Sequence, residues 1–394
     1  MMRLAIVTSH PIQYYAPWFK YLSSLLDLHV FYMFKSKEQG LEDNEFGVSF
    51  NWDIDLLEGY KYTFLKNVSK SPSVNKFNGC DVPTIKKEIK AGDFDSVLVL
   101  GWYLKGFWQA IVTCKLNKIP VIVRGDSKLV INDSFFKRSL KKVIYPIMLR
   151  SFDMCLYVGH RNKEYLKHYG VPEKKLNFCP HFINQDFFIK TTVNFSKNEV
   201  IKKLNLSLTS KKILFVGKLI DIKRPLDILK SLTLIPKDDF EIELLIVGSG
   251  YLEVEMQEYC KTNNENRVHF LGFKNQTELP NIYKVSDVLI LPSSNETWGL
   301  VVNESFSLQT PAVVSDQVGC GSDLIEEGVN GEIFKTGDIE NLSLKIIKVL
   351  NYTDQEKVLN SLVKKNNIYN IEFASKKLLN VIKFFKDNEK RKRN

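Results

Sequence analysis

The sequence predicts an α/β protein with two doubly wound parallel sheets, and three observations support this fold class. Short apolar runs alternate with segments of helical periodicity along the chain, as expected for parallel strands joined by helices. The length of 394 residues suggests roughly two to three domains. Hydrophobic residues make up 44% of the sequence, which is enough for ordinary globular cores.

Strand and helix candidates follow one another in both halves of the chain. In the N-terminal half, strands are predicted at 4–8, 27–32, 96–100, 120–124 and 154–158, with helices at 107–116 and 135–149. In the C-terminal half, strands are predicted at 213–216, 242–247, 267–271, 287–291 and 312–315. Polar residues and two prolines interrupt the pattern near 171–190, where we place the linker. The predicted domains are therefore 1–182 and 183–372, followed by a last helical stretch within 373–394.

Composition excludes several classes of protein. No apolar run reaches the length of about 18 residues that a membrane span needs, and the N-terminal apolar run is too short for a signal peptide. The six cysteines are scattered without a CxxC pair and the six histidines lack ligand spacing, so no zinc site is expected. Scattered cysteines also indicate a reducing compartment, and we predict a cytoplasmic protein.

Two carboxylates, Glu296 and Glu304, follow a predicted buried strand at an interval of eight residues. Glu296 lies on the loop after the strand, and Glu304 lies about one turn into the next helix. Gly299 lets a ligand approach the backbone closely, and the first helical amides suit an anionic group. Carboxylates accept hydrogen bonds from neighbouring hydroxyls, so the pattern predicts a site for a phosphorylated sugar. The alternative is a loop glutamate and a solvated helix glutamate without a ligand.

A basic motif follows the strand predicted at 213–216. Lys218 and Lys223 flank a short excursion, and Pro225 is well placed to begin a helix. Cations at the carboxyl end of such a strand lie where open α/β sheets bind ligands, and they can stabilise a departing diphosphate. The alternative is that both are surface lysines in a chain with 55 basic residues.

Together with segments 245–250, 268–273 and 328–331, these motifs resemble the C-terminal half of glycosyltransferase family 4, whose members are retaining GT-B enzymes that use nucleotide sugars. The resemblance implies that Glu304 binds ribose hydroxyls. It also implies that the catalytic residues are Glu296, on the transferred sugar, and Lys218 and Lys223, on the diphosphate. The other donor-binding residues that it implies are Gly217, Phe273, Thr297, Trp298, Gly299 and Leu300, the last three through backbone amides.

Three positions depart from the family pattern. The first basic position is more often arginine and is Lys218 here, which removes a bidentate fork. The residue after the second lysine is usually glycine and is Arg224 here, and Trp298 stands where phenylalanine is commoner. None of these changes removes a charge that the chemistry needs.

The resemblance implies two Rossmann-like domains that face each other across a cleft, with the last helix crossing back onto the first domain. It implies a retaining, metal-independent transfer of a sugar from a nucleoside-diphosphate donor to a glycan or lipid-linked glycan, in bacterial surface polysaccharide biosynthesis. No cofactor and no nucleic-acid partner are expected. The DxD pairs at 53–55 and 93–95 are discounted as metal sites, because a hard cation needs several convergent oxygens.

Acceptor-side candidates lie at the strand ends of the N-terminal half. The loop after the first strand contains His10, Gln13 and Tyr14, and a later strand is followed at the same edge by Arg124 and Asp126. We predict that the loop contacts the acceptor or the diphosphate, and that Arg124 and Asp126 contact the acceptor or the donor sugar. The alternatives are that the loop packs the first helix and that Arg124 and Asp126 form a salt-bridged turn.

Two other functions stay open on the sequence. One is a nucleotide-sugar epimerase of GT-B fold, which would need acid–base pairs in the first domain. The other is a noncatalytic nucleotide-sugar-binding subunit, against which the intact set of acidic and basic residues argues.

Residues 134–151 carry five basic residues and no acidic one. Lys137, Arg138, Lys141 and Lys142 share one helical face, and apolar residues lie on or near the other. Together with the net charge of +10, this pattern predicts reversible contact with an anionic membrane, at the inner face of the cell membrane. The alternative is an ordinary amphipathic helix that packs its apolar face on the sheet.

Overall fold

The structure is a computed structural model of the chain, and it describes residues 1–35, 54–129, 135–236 and 241–393. For residues 135–140 and 389–393 it describes the backbone path alone. Contacts divide the described chain into two compact units. The first holds the described parts of 1–37 and 55–182 together with 370–393. The second holds Ile54 and the described parts of 183–369, so the chain passes between the units at 182–183 and again at 369–370.

The described part of the first unit contains a seven-stranded parallel sheet. Its strands are β1 (Arg3–Thr8), β2 (Asp27–Tyr32), β3 (Lys61–Phe64), β4 (Ser96–Val99), β5 (Val121–Gly125), β6 (Met154–Tyr157) and β7 (Leu176–Phe178), in the spatial order β3-β2-β1-β4-β5-β6-β7. Its first helices are α1 (Ala16–Ser23), α2 (Ile85–Ala91), α3 (Lys105–Leu116), α4 (Phe135–Arg150) and α5 (His160–His168). Apolar side chains from α2, α3, α4 and α5 cover one face of this sheet, and those from α1 cover the other.

The described part of the second unit contains a six-stranded parallel sheet. Its strands are β8 (Lys211–Val216), β9 (Ile242–Val247), β10 (Val268–Gly272), β11 (Val288–Leu291), β12 (Ala312–Ser315) and β13 (Gly331–Phe334), in the order β10-β9-β8-β11-β12-β13. Its helices are α6 (Gln185–Thr191), α7 (Lys197–Lys203), α8 (Pro225–Thr233), α9 (Glu253–Thr262), α10 (Leu279–Val285), α11 (Leu300–Ser307), α12 (Gly321–Leu324), α13 (Ile339–Leu350) and α14 (Gln355–Asn366). Strands buried on both faces explain the continuous apolar runs of the sequence.

The last helix, α15 (Ile371–Arg393), belongs to the first unit. Its residues Ala374, Leu378 and Ile382 join the apolar cluster that contains Trp18 of α1. The Trp18 indole also donates a hydrogen bond to the Ser375 hydroxyl at 3.0 Å, so a buried polar contact holds the two helices together. Every helix in the described ranges is too short or too polar to cross a membrane.

The boundary between the two units, at 182–183, falls inside the linker predicted near 171–190, but the first part of that segment is not a linker. Residues 176–178 form β7, which pairs in parallel with β6 and extends the first sheet, and α6 begins at Gln185. Prolines 172 and 180 bracket this short strand rather than a flexible connection. Edge strands of three residues give no periodicity to detect, which is why the polar composition here indicated a linker.

A buried carboxylate with two lysine partners stabilises the edge of the second sheet. Glu332 on β13 is 0% exposed. Its carboxylate accepts hydrogen bonds from Lys348 Nζ at 2.6 Å, from Lys345 Nζ at 2.5 Å and from the Tyr352 hydroxyl at 2.9 Å. Burial alone raises the pKa of this carboxyl, but the three hydrogen bonds outweigh it and lower the pKa to about 2. The carboxylate is therefore ionised and fully partnered at neutral pH.

Replacing Glu332 with glutamine is expected to destabilise the protein at neutral pH. The folded pKa of about 2 lies below the ordinary value of 4.5, so ionisation of Glu332 contributes stability above pH 4.5 that is lost as pH falls toward 2. A shift of this size corresponds to about 3 kcal/mol. Urea unfolding of the wild type and E332Q at about pH 7, 5, 4 and 3 measures the gap in the free energy of unfolding. The gap should be constant down to about pH 5 and narrow below it, and a gap that stays constant at the lowest pH contradicts this account.

Candidate functional site

The second sheet reverses its strand order between β8 and β11. From β8 the chain moves outward through β9 to β10, and from β11 it moves outward in the other direction through β12 to β13. Ligands of open α/β sheets bind at the carboxyl ends of the strands beside such a reversal. The loops after β8 and β11 carry the predicted basic and acidic motifs, so both motifs lie at this point.

The loop after β8 runs from Gly217 and the half-buried Lys218 into a single 3-10 turn at Asp221–Lys223. The next residue, Arg224, adopts the left-handed conformation with φ 50°. Its guanidinium pairs with Asp227 at 2.6 Å and 3.1 Å, and Asp227 is 5% exposed. Glycine adopts a positive φ without strain, which explains why the resembled family prefers glycine at this position. The arginine here has a strained backbone, and its bidentate ion pair with Asp227 offsets that strain.

The loops after β8 and β11 are joined directly. The Ser294 amide donates to the Ile222 carbonyl at 2.8 Å, and the Ser294 hydroxyl donates to the same oxygen at 3.2 Å. The Lys223 ammonium pairs with the Glu296 carboxylate, and their side chains are 23% and 18% exposed. The structure thus brings two of the predicted catalytic residues together at the strand reversal.

A third loop, after β12, supports the Glu296 segment. Glu296 forms a parallel bridge with Val318, and its carbonyl accepts a hydrogen bond from the Gly319 amide at 3.0 Å. A Cβ atom at Gly319 would lie 1.8 Å from the carbonyl oxygen of Thr297, so the two loops can pack this closely because the residue is glycine. Thr297 itself is exposed. The backbone on both sides of the predicted sugar contact is therefore held in place.

Helix α11 begins at Leu300, directly after Gly299. Gly299 has φ 101°, and a Cβ atom there would lie 2.9 Å from Leu291 Cδ2, so a side chain would meet both backbone strain and a clash. The first amides of a helix have no intrahelical partner and carry partial positive charge. Gly299 follows Glu296 by three residues, so α11 begins just after the loop residue that pairs with Lys223.

The Trp298 ring lies in the core. It is 3% exposed, its Nε1 donates to Asn303 Oδ1 at 2.8 Å, and its centre is 5.6 Å from that of the Tyr369 ring. The ligand contact predicted for Trp298 is through its backbone amide. Because Asn303 and Tyr369 hold the ring, they also fix the position of this amide.

Glu304 is the fifth residue of α11 and is 1% exposed. The hydroxyl of Tyr283, on α10, donates a hydrogen bond to Glu304 Oε2 at 2.6 Å. The helical position of Glu304 was expected from the sequence, but its tyrosine partner was not. Phe273, the remaining donor candidate, is half-buried and follows the edge strand β10, two strands away from β8.

The first sheet reverses between β1 and β4, and the acceptor-side loop follows β1. The Ser9 hydroxyl and His10 Nδ1 form a hydrogen bond of 2.9 Å, and burial lowers the pKa of His10, so the ring is neutral at neutral pH. Gln13 Oε1 is buried, and the described residues give it no hydrogen-bond partner. Tyr14 beside it is half-buried. This loop therefore presents polar groups at the reversal.

Arg124 lies at the end of β5, as predicted, but its side chain is buried in the core. It is 1% exposed, and its guanidinium lies over the rings of Tyr15, Trp18 and Phe182 at 5.6, 5.4 and 5.1 Å. It also donates to the Tyr15 hydroxyl at 3.0 Å and to the Pro180 carbonyl at 2.8 Å. A guanidinium enclosed in this way is a core contact that supports the strand end, so we correct its assignment from ligand contact to positioning residue.

Asp126 lies two residues further along, half-buried after the end of β5. Tyr103, after β4, hydrogen-bonds to Ser9, and burial is the main cause that raises the pKa of its hydroxyl, with smaller contributions from Cys80 and Asp126. Sequence reasoning missed Tyr103. The same rule that selected the other candidates, a polar residue just after a strand at the sheet reversal, would have found it.

Among the described residues, no group of three or more His, Cys, Asp or Glu side chains is placed to hold a metal ion. Of the two DxD pairs, Asp95 accepts hydrogen bonds from the Arg3 amide at 2.7 Å and from Lys386 Nζ at 3.0 Å, and Asp93 lies 3.4 Å from the Arg3 guanidinium. Asp53 lies outside the described residues.

Residues 196–366 match the family model described as glycosyl transferases group 1. The chain is 29% identical over 271 residues to the UDP-Gal:alpha-D-GlcNAc-diphosphoundecaprenol alpha-1,3-galactosyltransferase of Escherichia coli, covering 66% of this chain and 67% of the relative. It is 27% identical over 248 residues to the N,N'-diacetylbacillosaminyl-diphospho-undecaprenol alpha-1,3-N-acetylgalactosaminyltransferase of Campylobacter jejuni, covering 61% and 64%. Across these and two further curated relatives the chain spans between 34% and 67% of their length.

The fold is shared with solved structures, among them that of a glycosyltransferase from Rickettsia africae ESF-5, which superposes with a TM-score of 0.74 and covers 98% of this chain and 99% of that one at 17% identity. Anabaena Alr3699/HepE in complex with UDP and glucose superposes with a TM-score of 0.71, covering 97% of this chain and 100% of that one at 13% identity. At such low identity the likeness establishes the fold alone, and that fold is GT-B.

Proposed function

We propose that this chain, whose residues 196–366 belong to the glycosyl transferases group 1 family, is a retaining, metal-independent glycosyltransferase. The donor is a nucleoside-diphosphate sugar bound by the second unit, and the acceptor is a hydroxyl of a glycan or lipid-linked glycan bound by the first. The observation that carries this proposal is the meeting of Lys223, Glu296 and the start of α11 at the strand reversal of the second sheet.

The donor site follows from the charges at that reversal. Lys223, Lys218 and the first amides of α11 supply positive charge for a diphosphate. Glu296 accepts hydrogen bonds from sugar hydroxyls, and Glu304 accepts them from the ribose. The Lys223–Glu296 pair keeps both side chains in place, because each charge is the other's partner and the supporting loops fix their backbones.

The reaction exchanges one bond to the anomeric carbon for another. The acceptor oxygen bonds to that carbon as the bond from the carbon to the leaving diphosphate oxygen breaks. The acceptor proton moves to the diphosphate on the same face of the sugar, so no separate base is required. The negative charge that grows on the diphosphate is stabilised by Lys218, Lys223 and the helix amides.

The acceptor contacts that we propose are His10, Gln13, Tyr14 and Asp126. A buried carbonyl oxygen without a donor is costly, and an acceptor hydroxyl would supply a donor to Gln13 Oε1. The names of the two relatives above specify undecaprenyl-diphosphate-linked sugars. These names support a lipid-linked acceptor and a role in surface polysaccharide biosynthesis for this chain.

Incubation of the full chain with UDP-, GDP-, ADP- and CDP-sugars, with and without undecaprenyl-diphosphate glycans, tests the proposal. Acceptor-dependent release of nucleoside diphosphate with retained anomeric configuration is expected, unaffected by a chelator. Interconversion of the sugar without acceptor would instead identify an epimerase, and binding without turnover would identify a noncatalytic subunit. Activity that is lost in chelator and restored by manganese contradicts metal independence.

We also propose that α4 contacts an anionic membrane. Its described side chains place Val143, Ile144 and Ile147 outward, with exposures of 67%, 46% and 73%. The opposite face is buried through Leu149. Positions 143, 144 and 147 fall within about 100° of one another on a helix, and the exposed Arg150 lies beside them. An apolar outer face with neighbouring cations suits a lipid surface better than water.

Replacing Val143, Ile144 and Ile147 together with serine is expected to lower binding to phosphatidylglycerol vesicles at least about 10-fold, because three aliphatic side chains no longer enter the lipid. Cosedimentation with anionic and with neutral vesicles, at two salt concentrations, measures the effect. Serine at Val254, Leu344 and Val363, three aliphatic residues of the second unit with comparable exposures of 65%, 63% and 46%, is the matched control and should bind as the wild type does. Equal binding by the triple variant and the wild type contradicts this placement of the contact.

A further inference from the structure

Glu304 and its partner Tyr283 form a buried pair within the second unit. The two side chains are 1% and 0% exposed, and the tyrosine hydroxyl donates to Glu304 Oε2 at 2.6 Å. A buried carboxylate costs free energy unless it receives hydrogen bonds, so this contact is strong and its loss is costly. No part of the proposed reaction uses Tyr283 directly.

Both ends of this hydrogen bond are held rigidly. The Thr310 hydroxyl donates to the Tyr283 carbonyl at 2.9 Å, and the Ser305 hydroxyl on α11 donates to the Thr310 carbonyl at 2.7 Å. The Tyr283 ring also packs at 6.2 Å from the ring of Phe188. Helices α10 and α11 are therefore linked through Thr310, and Tyr283 has a fixed place relative to the helix that carries Glu304.

We propose that Tyr283 is a positioning residue that sets the orientation of the Glu304 carboxylate for the two hydroxyls of a ribose. This inference rests on the proposed function, in which Glu304 binds the nucleotide. A carboxylate offers about four lone pairs, and the tyrosine occupies one of those on Oε2. Two neighbouring hydroxyls are accepted best by a carboxylate whose plane is fixed, and the phenol prevents its rotation about the last side-chain bond.

The second unit offers a matched control at Tyr352. Its hydroxyl donates to Glu332 Oε1 at 2.9 Å, so it is also a tyrosine bonded to a buried glutamate. Glu332 lies on edge strand β13, two strands from β11, and Tyr352 follows the end of α13. Tyr352→Phe deletes the same chemical group and is expected to lower the melting temperature without changing nucleotide affinity.

The experiment measures affinity for a nucleoside diphosphate and for its 2′,3′-dideoxy analogue by calorimetry, using whichever of UDP, GDP and ADP binds most tightly. Tyr283→Phe is expected to weaken binding of the ribonucleotide about 5- to 10-fold and to leave binding of the dideoxy analogue unchanged. In a Glu304→Ala background the same change should have no further effect on the ribonucleotide.

Thr310→Val supplies a second variant if Tyr283→Phe does not fold. It removes the hydroxyl that holds the Tyr283 carbonyl and leaves the Tyr283–Glu304 hydrogen bond intact. The ratio of ribonucleotide affinity to dideoxynucleotide affinity should therefore fall, by a smaller factor than in Tyr283→Phe. Equal weakening of both nucleotides, or of neither, by whichever variant folds would show that Tyr283 acts on stability alone and overturns the inference. If Glu304→Ala itself leaves ribonucleotide affinity unchanged, it is the ribose assignment of the proposed function that fails.

Discussion

Replacing Lys223 with alanine is expected to lower turnover about 100- to 1000-fold, the usual loss when one group that stabilises transition-state charge is removed. Negative charge grows on the diphosphate as its bond to the sugar breaks, so the lysine interacts more strongly with the transition state than with the bound donor. The effect should therefore appear mainly in kcat, with a smaller change in KM. Steady-state release of nucleoside diphosphate in the presence of acceptor measures both constants.

The loss of Lys223 also leaves Glu296 without its ion-pair partner, so the effect on stability must be separated from the effect on the reaction. Lys223→Arg keeps the charge and should retain more activity than alanine does, whereas Lys230→Ala changes an exposed lysine on the neighbouring helix α8 and should behave as the wild type. Thermal unfolding of each variant reports the structural contribution. Turnover of Lys223→Ala within about threefold of the wild type, with the fold intact, would remove Lys223 from the reaction.

The central strands could be predicted from the sequence because their apolar runs are continuous. Strands β9 and β12 begin and end at the predicted residues, 242–247 and 312–315. Their side chains are buried on both faces, a condition that few other local structures satisfy. The edge strands β3, β7 and β13 were not predicted. Strand β3 exposes Lys61 and Tyr62 to solvent, so its composition is close to that of a loop.

The meeting of Lys223 with Glu296 could be expected from the sequence, because loops that follow neighbouring parallel strands share one edge of a sheet. The partner of Glu304 could not. Tyr283 lies on the helix before β11, 21 residues from Glu304, and no periodicity relates the two. Helical spacing indicates only that a tyrosine at this position is buried. Which polar atom its hydroxyl meets depends on how α10 packs against α11.

The place of Arg124 shows the same limit in the first unit. Its position at the end of β5 was predicted, and this position alone suggested a ligand contact. Its burial depends on Tyr15, Trp18 and Phe182, which come from two segments far from it in sequence. Arg224 is a second arginine with a structural contact. Its backbone has a positive φ, and its guanidinium pairs with the buried carboxylate of Asp227. Neither arginine could be distinguished by sequence from a cation that binds the substrate.

Replacing Glu304 with alanine is expected to weaken nucleoside-diphosphate binding about 10- to 150-fold, which corresponds to about 1.5–3 kcal/mol for hydrogen bonds to a charged acceptor. The ribose hydroxyls lose their acceptor, and a hydroxyl that leaves water without a new partner costs affinity. Glu304→Gln keeps one oxygen acceptor and should lie between alanine and the wild type. Calorimetry with UDP, GDP and ADP measures the change for each nucleotide.

Glu304 is buried, so its replacement also destabilises the second unit, and the binding effect needs a control with the same structural cost. Glu332→Ala is that control, because it truncates another buried, tyrosine-bonded glutamate on a strand away from the reversal. It should lower stability and leave nucleotide affinity unchanged. A 2′,3′-dideoxy nucleotide adds a second comparison, since it lacks the hydroxyls that Glu304 is proposed to accept and should bind the wild type and Glu304→Ala equally. If Glu304→Ala binds every common ribonucleotide as the wild type does, the ribose site lies elsewhere.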